Sequence, residues 1–221
     1  MKKRTKRSLI IAAGMLTVFV LWTVSLGFVD VGTVGPQGSA VGYATVNQFV
    51  HRFTGVHMAL YTITDWLGLV PIGFGMGFAI LGLVQWIRRR HLLQVDRSIL
   101  LLGGFYAVVA AVYVFFEIVV INYRPILIEN RLEASYPSST TMLTLCVMAT
   151  AILQLRGRIQ NATVKRWITC GITVFMLFMV IGRLLSGVHW VTDIMGGGLL
   201  SGGLVALYDA MNSIQSGKKH E

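Results

Sequence analysis

Six apolar runs, each long enough to cross the hydrocarbon core of a bilayer, constrain this chain more than any other feature. A spanning helix needs about 20 residues, and such runs fall at roughly 8–29, 62–87, 98–121, 138–155, 167–185 and 190–211. A helix satisfies its own backbone hydrogen bonds within hydrocarbon. The expected fold is therefore all-α, an integral membrane bundle of six transmembrane helices forming a single domain over residues 1–221. Composition agrees: 55% of the 221 residues are hydrophobic and 13% charged, with a mean hydropathy of +0.70.

The basic residues orient the bundle. The N-terminal tail, residues 1–7 (Lys2, Lys3, Arg4, Lys6, Arg7), the second connection (Arg88, Arg89, Arg90, Arg97), the fourth connection (Arg156, Arg158, Lys165, Arg166) and the C-terminal tail, residues 212–221 (Lys218, Lys219), all fall on one side. The positive-inside rule makes that side cytoplasmic, with both termini there. The net charge of +10 is thus mainly an orientation signal, and no nucleic-acid partner is expected. Arg52, Arg124, Arg131 and Arg183 remain at or near the outer face. At about 22 residues, without a small-residue cleavage site, the first run is expected to be a retained helix rather than a signal peptide. Cys146 and Cys170 lie inside spans, offer no disulfide or metal pattern, and are expected to be small core residues. Asn161-Ala162-Thr163 matches a glycosylation sequon but falls in a cytoplasmic connection.

Between the first two spans, residues 30–45 read as an outer loop, followed by apolar positions Val46, Phe49, Val50, Phe53 and Val56 at helical spacing. A short amphipathic helix lying in the outer interface is expected, either as a cap over the helix ends or as a lip for a lipid entering sideways. His51 and His57 are taken as interfacial, and Asp65 as a cap. Glycines in the second span (Gly68, Gly73, Gly75, Gly77, Gly82) and the sixth (Gly196, Gly197, Gly198, Gly202, Gly203) predict closely packed helices.

Polar groups recur at the outer ends of the last four spans. The third span is expected to run through Glu117 to Asn122-Tyr123-Arg124-Pro125, where proline ends it. The fourth begins at Pro137-Ser138-Ser139-Thr140. Its hydroxyls can serve as simple caps, or its free amides and positive dipole end can hold an anion. Between the fifth and sixth spans stand Arg183, His189 and Asp193. Four residues apart, His189 and Asp193 share a face if helical. The carboxylate then holds one imidazole nitrogen and leaves the other free as nucleophile or base; a purely structural pair is the alternative. Two arginines, a helix N-terminus and a His–Asp pair can hold a phosphate, attack phosphorus and stabilise the transition state without metal.

These residues resemble the type 2 phosphatidic acid phosphatase superfamily, the integral-membrane lipid phosphate phosphatases. That family's pattern is Lys, six residues, Arg-Pro; then Pro-Ser-Gly-His; then Arg, five residues, His, three residues, Asp. The third part is complete here as Arg183, His189 and Asp193, and the first retains Arg124-Pro125. The resemblance implies that His189 forms a phosphohistidine, that Asp193 orients it, and that Arg124, Arg183, Ser138 and Ser139 bind the phosphoryl oxygens. It implies no cofactor and no metal. It also implies a multi-pass protein of the plasma (cytoplasmic) membrane of a bacterium, with its site on the extracytoplasmic side and a phosphorylated lipid as substrate.

Two positions depart from the pattern and are possible modulators of the chemistry: Glu117 stands at the family's lysine and Thr140 at its second-motif histidine, the acid that protonates the leaving group. An alkoxide leaving group needs such an acid far more than a phosphate leaving from a diphosphate. The expected activity is therefore that of a lipid phosphatase or diphosphatase with polyprenyl diphosphate favoured. Transfer of the phosphoryl or head group to another lipid, and a non-catalytic lipid-phosphate binder or transport component, are the alternatives. On a continuous helix Glu117 lies two turns before Arg124, about 10 Å along the axis. There it reads first as a structural ion-pair partner of Arg124 or Arg183, otherwise as a neutral acid or a contact for a cationic head group.

Overall fold

The computed structural model describes residues 3–217; Lys2, Lys218 and Lys219 of the expected basic tails lie outside them. Among the described residues the regular structure is helical, and six spans are long and apolar enough to cross a membrane. In chain order, α1 is Lys3–Ser25, α2 Ala44–Thr54, α3 Met58–Leu67, α4 Leu69–Arg89, α5 Arg97–Ile118, α6 Ser139–Arg158, α7 Ala162–Leu185 and α8 Val191–Gly217. Helices α3 and α4 form one span, interrupted at Gly68. Pro71 accounts for the break, because its ring excludes the carbonyl four residues earlier, that of Leu67, from a regular helix.

Helices α6 and α8 are the centre of the bundle. Half of each span is buried, against 11 to 22% in the other four. α1 and α6 both pack on α8, and α7 packs on α6 and α3. The main core joins Phe19 of α1, Leu102 and Phe105 of α5, Met142 and Cys146 of α6, and Leu200, Leu204 and Tyr208 of α8. Small residues make the α1–α8 contact close: a Cβ at Gly203 would stand 2.7 Å from the Leu16 side chain. The second span differs from expectation. Gly82 lies tight against Ile99, but Gly73 and Gly77 face open space, so only part of that glycine series serves packing. Cys146 is buried as expected, whereas Cys170 is exposed on α7. Asn161, of the sequon, is the N-cap of α7, its side chain accepting from the Thr163 and Val164 amides.

α2 is the expected amphipathic helix, and it faces its polar side inward. Phe49 and Phe53 are 71% and 85% exposed, while Asn47 is fully buried. The Asn47 amide donates to the Gly42 carbonyl and to Thr192 at the start of α8. The helix is thus fastened across the bundle end by its polar stripe, leaving its apolar stripe turned away from the protein.

One boundary departs further from expectation. α5 ends at Ile118, seven residues before Pro125, and residues 119–138 form an extended excursion instead of more helix. Tyr123 bridges Ala134, and Ile128 bridges Arg131, with Glu129 and Asn130 both at positive φ, as a two-residue hairpin turn requires. Glu129 and Arg131 are therefore exposed at the tip, and Glu117 and Arg124 do not share a helical face.

Candidate active site

The segment 186–190 joins α7 to α8 at the end of the bundle where α1 and α5 finish and α6 begins. Its path depends on Gly187, whose φ of +71° suits glycine; a Cβ there would collide with the Gly55 carbonyl. The Ser186 carbonyl accepts from the His57 amide at 3.0 Å, and the Gly187 carbonyl lies 3.1 Å from His51 Nε2. Both histidines thus lie against the loop that carries His189, a role the sequence reading missed.

His189 and Asp193 come together, although not on a shared helical face. His189 lies in the loop and Asp193 in the first turn of α8, where its carboxylate accepts from the Trp190 amide at 2.9 Å, half of a capping box. His189 Nδ1 stands 3.8 Å from Asp193 Oδ2, beyond hydrogen-bond range. Ser135 fills the gap: its Oγ lies 3.2 Å from Nδ1 and donates to Asp193 Oδ2. A hydroxyl has one proton to give. Since that proton goes to the carboxylate, Oγ accepts from Nδ1–H, and the unprotonated ring nitrogen is Nε2. The other carboxylate oxygen accepts from Asn122 at 3.3 Å. Asn122 and Ser135 meet Asp193 together because they are paired in the excursion, the Ser135 amide donating to the Asn122 carbonyl at 2.9 Å.

His189 is 3% exposed and Asp193 fully buried. Burial pushes the His189 imidazolium down to about 4, against the opposing effect of the hydrogen bonding toward Asp193, and the nearby charges of Arg124 and Arg183 act in the same direction as burial. The ring is neutral at physiological pH. Asp193 has a protein donor on each carboxylate oxygen and the positive end of α8 beside it.

Arg124 and Arg183 face the ring of Tyr61 on α3, their guanidinium carbons 6.0 and 5.0 Å from its centroid. Each has a carboxylate at its outer side: Glu133 Oε2 lies 3.0 Å from Arg124 Nε, and Asp65 Oδ1 lies 3.7 Å from Arg183 Nη1. Asp65 is thus a partner of Arg183 rather than a simple cap. Glu117 makes no ion pair among the described residues. It is exposed, interacts with Tyr113 one turn earlier, and lines a small cavity with Ser135 and Ser139. The expected pairing of Glu117 with either arginine is therefore corrected: Glu133 and Asp65 occupy those places.

Ser138 is the N-cap of α6 but makes no capping hydrogen bond. Its backbone amide donates to the Asp193 carbonyl at 3.1 Å, joining the starts of α6 and α8. Ser139 and Thr140 follow, half-buried in the first turn. Buried side-chain atoms without a hydrogen-bond partner gather among these residues: His189 Nε2, Arg183 Nε, Arg124 Nη1 and Ser138 Oγ. Buried polar groups are ordinarily satisfied. One lone pair and three donors match an electrophilic centre surrounded by anionic oxygens.

The PAP2 superfamily model matches residues 109–213, just under half of the chain and inclusive of every residue named in the motifs. No curated protein matches significantly. Among solved structures, the chain is similar to the first transmembrane PAP2 type phosphatidylglycerolphosphate phosphatase from Bacillus subtilis, with 18% identity, a TM-score of 0.52, and coverage of 93% of this chain and 96% of that one. The resemblance read from the motifs is borne out, and the chain has the fold of a transmembrane PAP2 phosphatase.

Proposed function

We propose that this chain is a membrane lipid phosphatase or diphosphatase in which His189 is the nucleophile. The carrying observation is the buried imidazole, whose Nδ1 is held through Ser135 to Asp193 and whose Nε2 has no partner. The Nε2 lone pair forms a bond to phosphorus as the bond to the leaving oxygen breaks. Water then cleaves the phosphohistidine, returning the ring to its neutral form. Arg124, Arg183 and Ser138 bind the non-bridging oxygens, and Asp193 stabilises the charge that develops on the ring. The cations supplying transition-state charge are the chain's own, so the scheme uses no metal.

Thr140 bears on the substrate. A hydroxyl cannot act as a general acid near neutral pH, so a leaving group that needs no proton is favoured. A polyprenyl diphosphate provides one, because its leaving group is a phosphate monoester. The domain extends over the whole chain, and its site faces the extracytoplasmic side if the basic end is cytoplasmic.

The test measures phosphate release in detergent from polyprenyl diphosphate, phosphatidate and phosphatidylglycerophosphate, with His189→Ala alongside. The expected result is fastest release from the diphosphate, with the variant at least roughly a thousandfold slower. Equal rates for both proteins on all three lipids overturn the proposal. Product formed only when an acceptor lipid is added would instead identify a transferase, and tight binding without turnover a lipid-phosphate binder.

A further inference from the structure

A cleft of about 520 Å³ runs between α1, α6, α7 and α8. Its floor is made of small residues, among them Ala149, Ser201 and Ala206, with Met176 of α7 as a wall. It exists because α7 packs chiefly on α6 and α3 and leaves the flank of α8 uncovered. At the basic end of the bundle the cleft meets a second cavity of about 420 Å³, with Leu153, Arg156 and Asp209 lining both.

The charges at this mouth are unevenly satisfied. Asp209 accepts from Arg4 at 2.6 Å and from Ser8 at 2.8 Å, so the carboxylate is already held. Arg156 is exposed and makes no ion pair or hydrogen bond among the described residues. The mouth therefore presents a free cation beside a neutralised pair. From Leu145, at the far end, to Arg156 is eleven residues of helix, about 16 Å. One leaflet of a hydrocarbon core about 30 Å thick is about 15 Å deep. The cleft thus extends from the head-group plane to the bilayer midplane, mainly apolar along its length, with the hydroxyls of Ser8, Thr169, Thr173 and Ser201 among its lining, and cationic at its end.

We propose that this cleft binds one anionic glycerophospholipid from the leaflet at the basic end, an acyl chain lying against Ala149 and Ala206 and the phosphate on Arg156. This site is separate from the one at His189, which lies at the opposite end of the same helices. The chemistry that recognises the lipid is a chain one leaflet deep joined to a negative charge; neither part alone suffices.

The experiment follows the thermal unfolding of the purified full chain in detergent with dioleoyl phosphatidylglycerol, dioleoyl phosphatidylcholine or glycerol 3-phosphate added. A ligand that binds the native state raises its unfolding temperature. Phosphatidylglycerol is expected to raise it by several degrees more than phosphatidylcholine, and glycerol 3-phosphate not at all. Arg156→Gln abolishes the difference between the two lipids, and Ala206→Leu, which fills the cleft, diminishes the response to phosphatidylglycerol. Arg124→Gln, at the other end, leaves the response in place. Equal shifts from the two lipids, an undiminished preference in Arg156→Gln, or loss of the preference in Arg124→Gln instead would each overturn the assignment. None of these outcomes depends on turnover at His189.

Discussion

At the scale of single residues, the candidate site depends on hydroxyl and amide groups as much as on its charges. Ser135 makes the only hydrogen-bonded link between His189 and Asp193 among the described residues, and removing a buried hydrogen-bond partner costs about 1–3 kcal/mol. Ser135→Ala is therefore expected to lower kcat roughly 10- to 100-fold with KM little changed, and Ser135→Thr to restore part of it. An unchanged kcat in Ser135→Ala would remove Ser135 from the positioning role. The protonation of His189 makes a second prediction. Its folded-state value is depressed from 6.5 to about 4, so the unfolded chain binds more protons between those values and stability falls as pH is lowered through that window. The unfolding temperature of the wild type should drop between pH 6.5 and 4 more than that of His189→Gln. The acid limb of kcat/KM should lie near 4 rather than near the ordinary imidazole value, since that parameter reports the free enzyme.

At the scale of elements, α2 and the hairpin-like excursion after α5 hold what the spans alone do not. Asn47 ties α2 to Thr192 through both amide atoms, and His51 reaches the carbonyl of Gly187. Asn47→Leu leaves buried groups of Gly42 and Thr192 without their partner, and is expected to destabilise the fold by about 1–3 kcal/mol. Thermal unfolding and phosphate release should both decline; a fully active Asn47→Leu would show that α2 is not what fastens the His189 loop. Gly187 belongs to the same assembly. Gly187→Ala meets both an unfavourable φ and the Gly55 carbonyl, so its loss of stability should exceed that of a glycine-to-alanine change at the open position Gly73, measured side by side.

At the scale of the whole molecule, the close seating of α1 on α8 sets the bundle's width. Gly203→Leu forces its side chain into Leu16 and is expected to cost about 1–3 kcal/mol through overpacking, with unfolding temperature as the readout. Orientation is a separate matter. In a background lacking Cys146 and Cys170, cysteine at Glu129 should react from outside intact cells with a membrane-impermeant maleimide, and cysteine at Arg90 should not. The opposite pattern would reverse the assignment of the outward face.

Sequence alone determined the six spans, the amphipathic character of α2 and the motif segments, because each depends on local composition or spacing. Hydrophobic length reports membrane crossing directly, and Arg183, His189 and Asp193 are close in sequence. It did not determine where α5 stops, and the inferred helix through Glu117 to Arg124 placed a carboxylate where Glu133 and Asp65 instead serve the two arginines. Nor did it single out Asn122, Ser135, Asn47 or Tyr61. The polar character of Asn122 between Ile121 and Tyr123 was the available signal, but its meaning depends on pairing with Ser135 across a loop whose path local propensity leaves open. Tertiary structure decided those contacts because a buried carboxylate and imidazole must find hydrogen-bond partners, and the groups that meet Asp193 come from a hairpin far away in sequence.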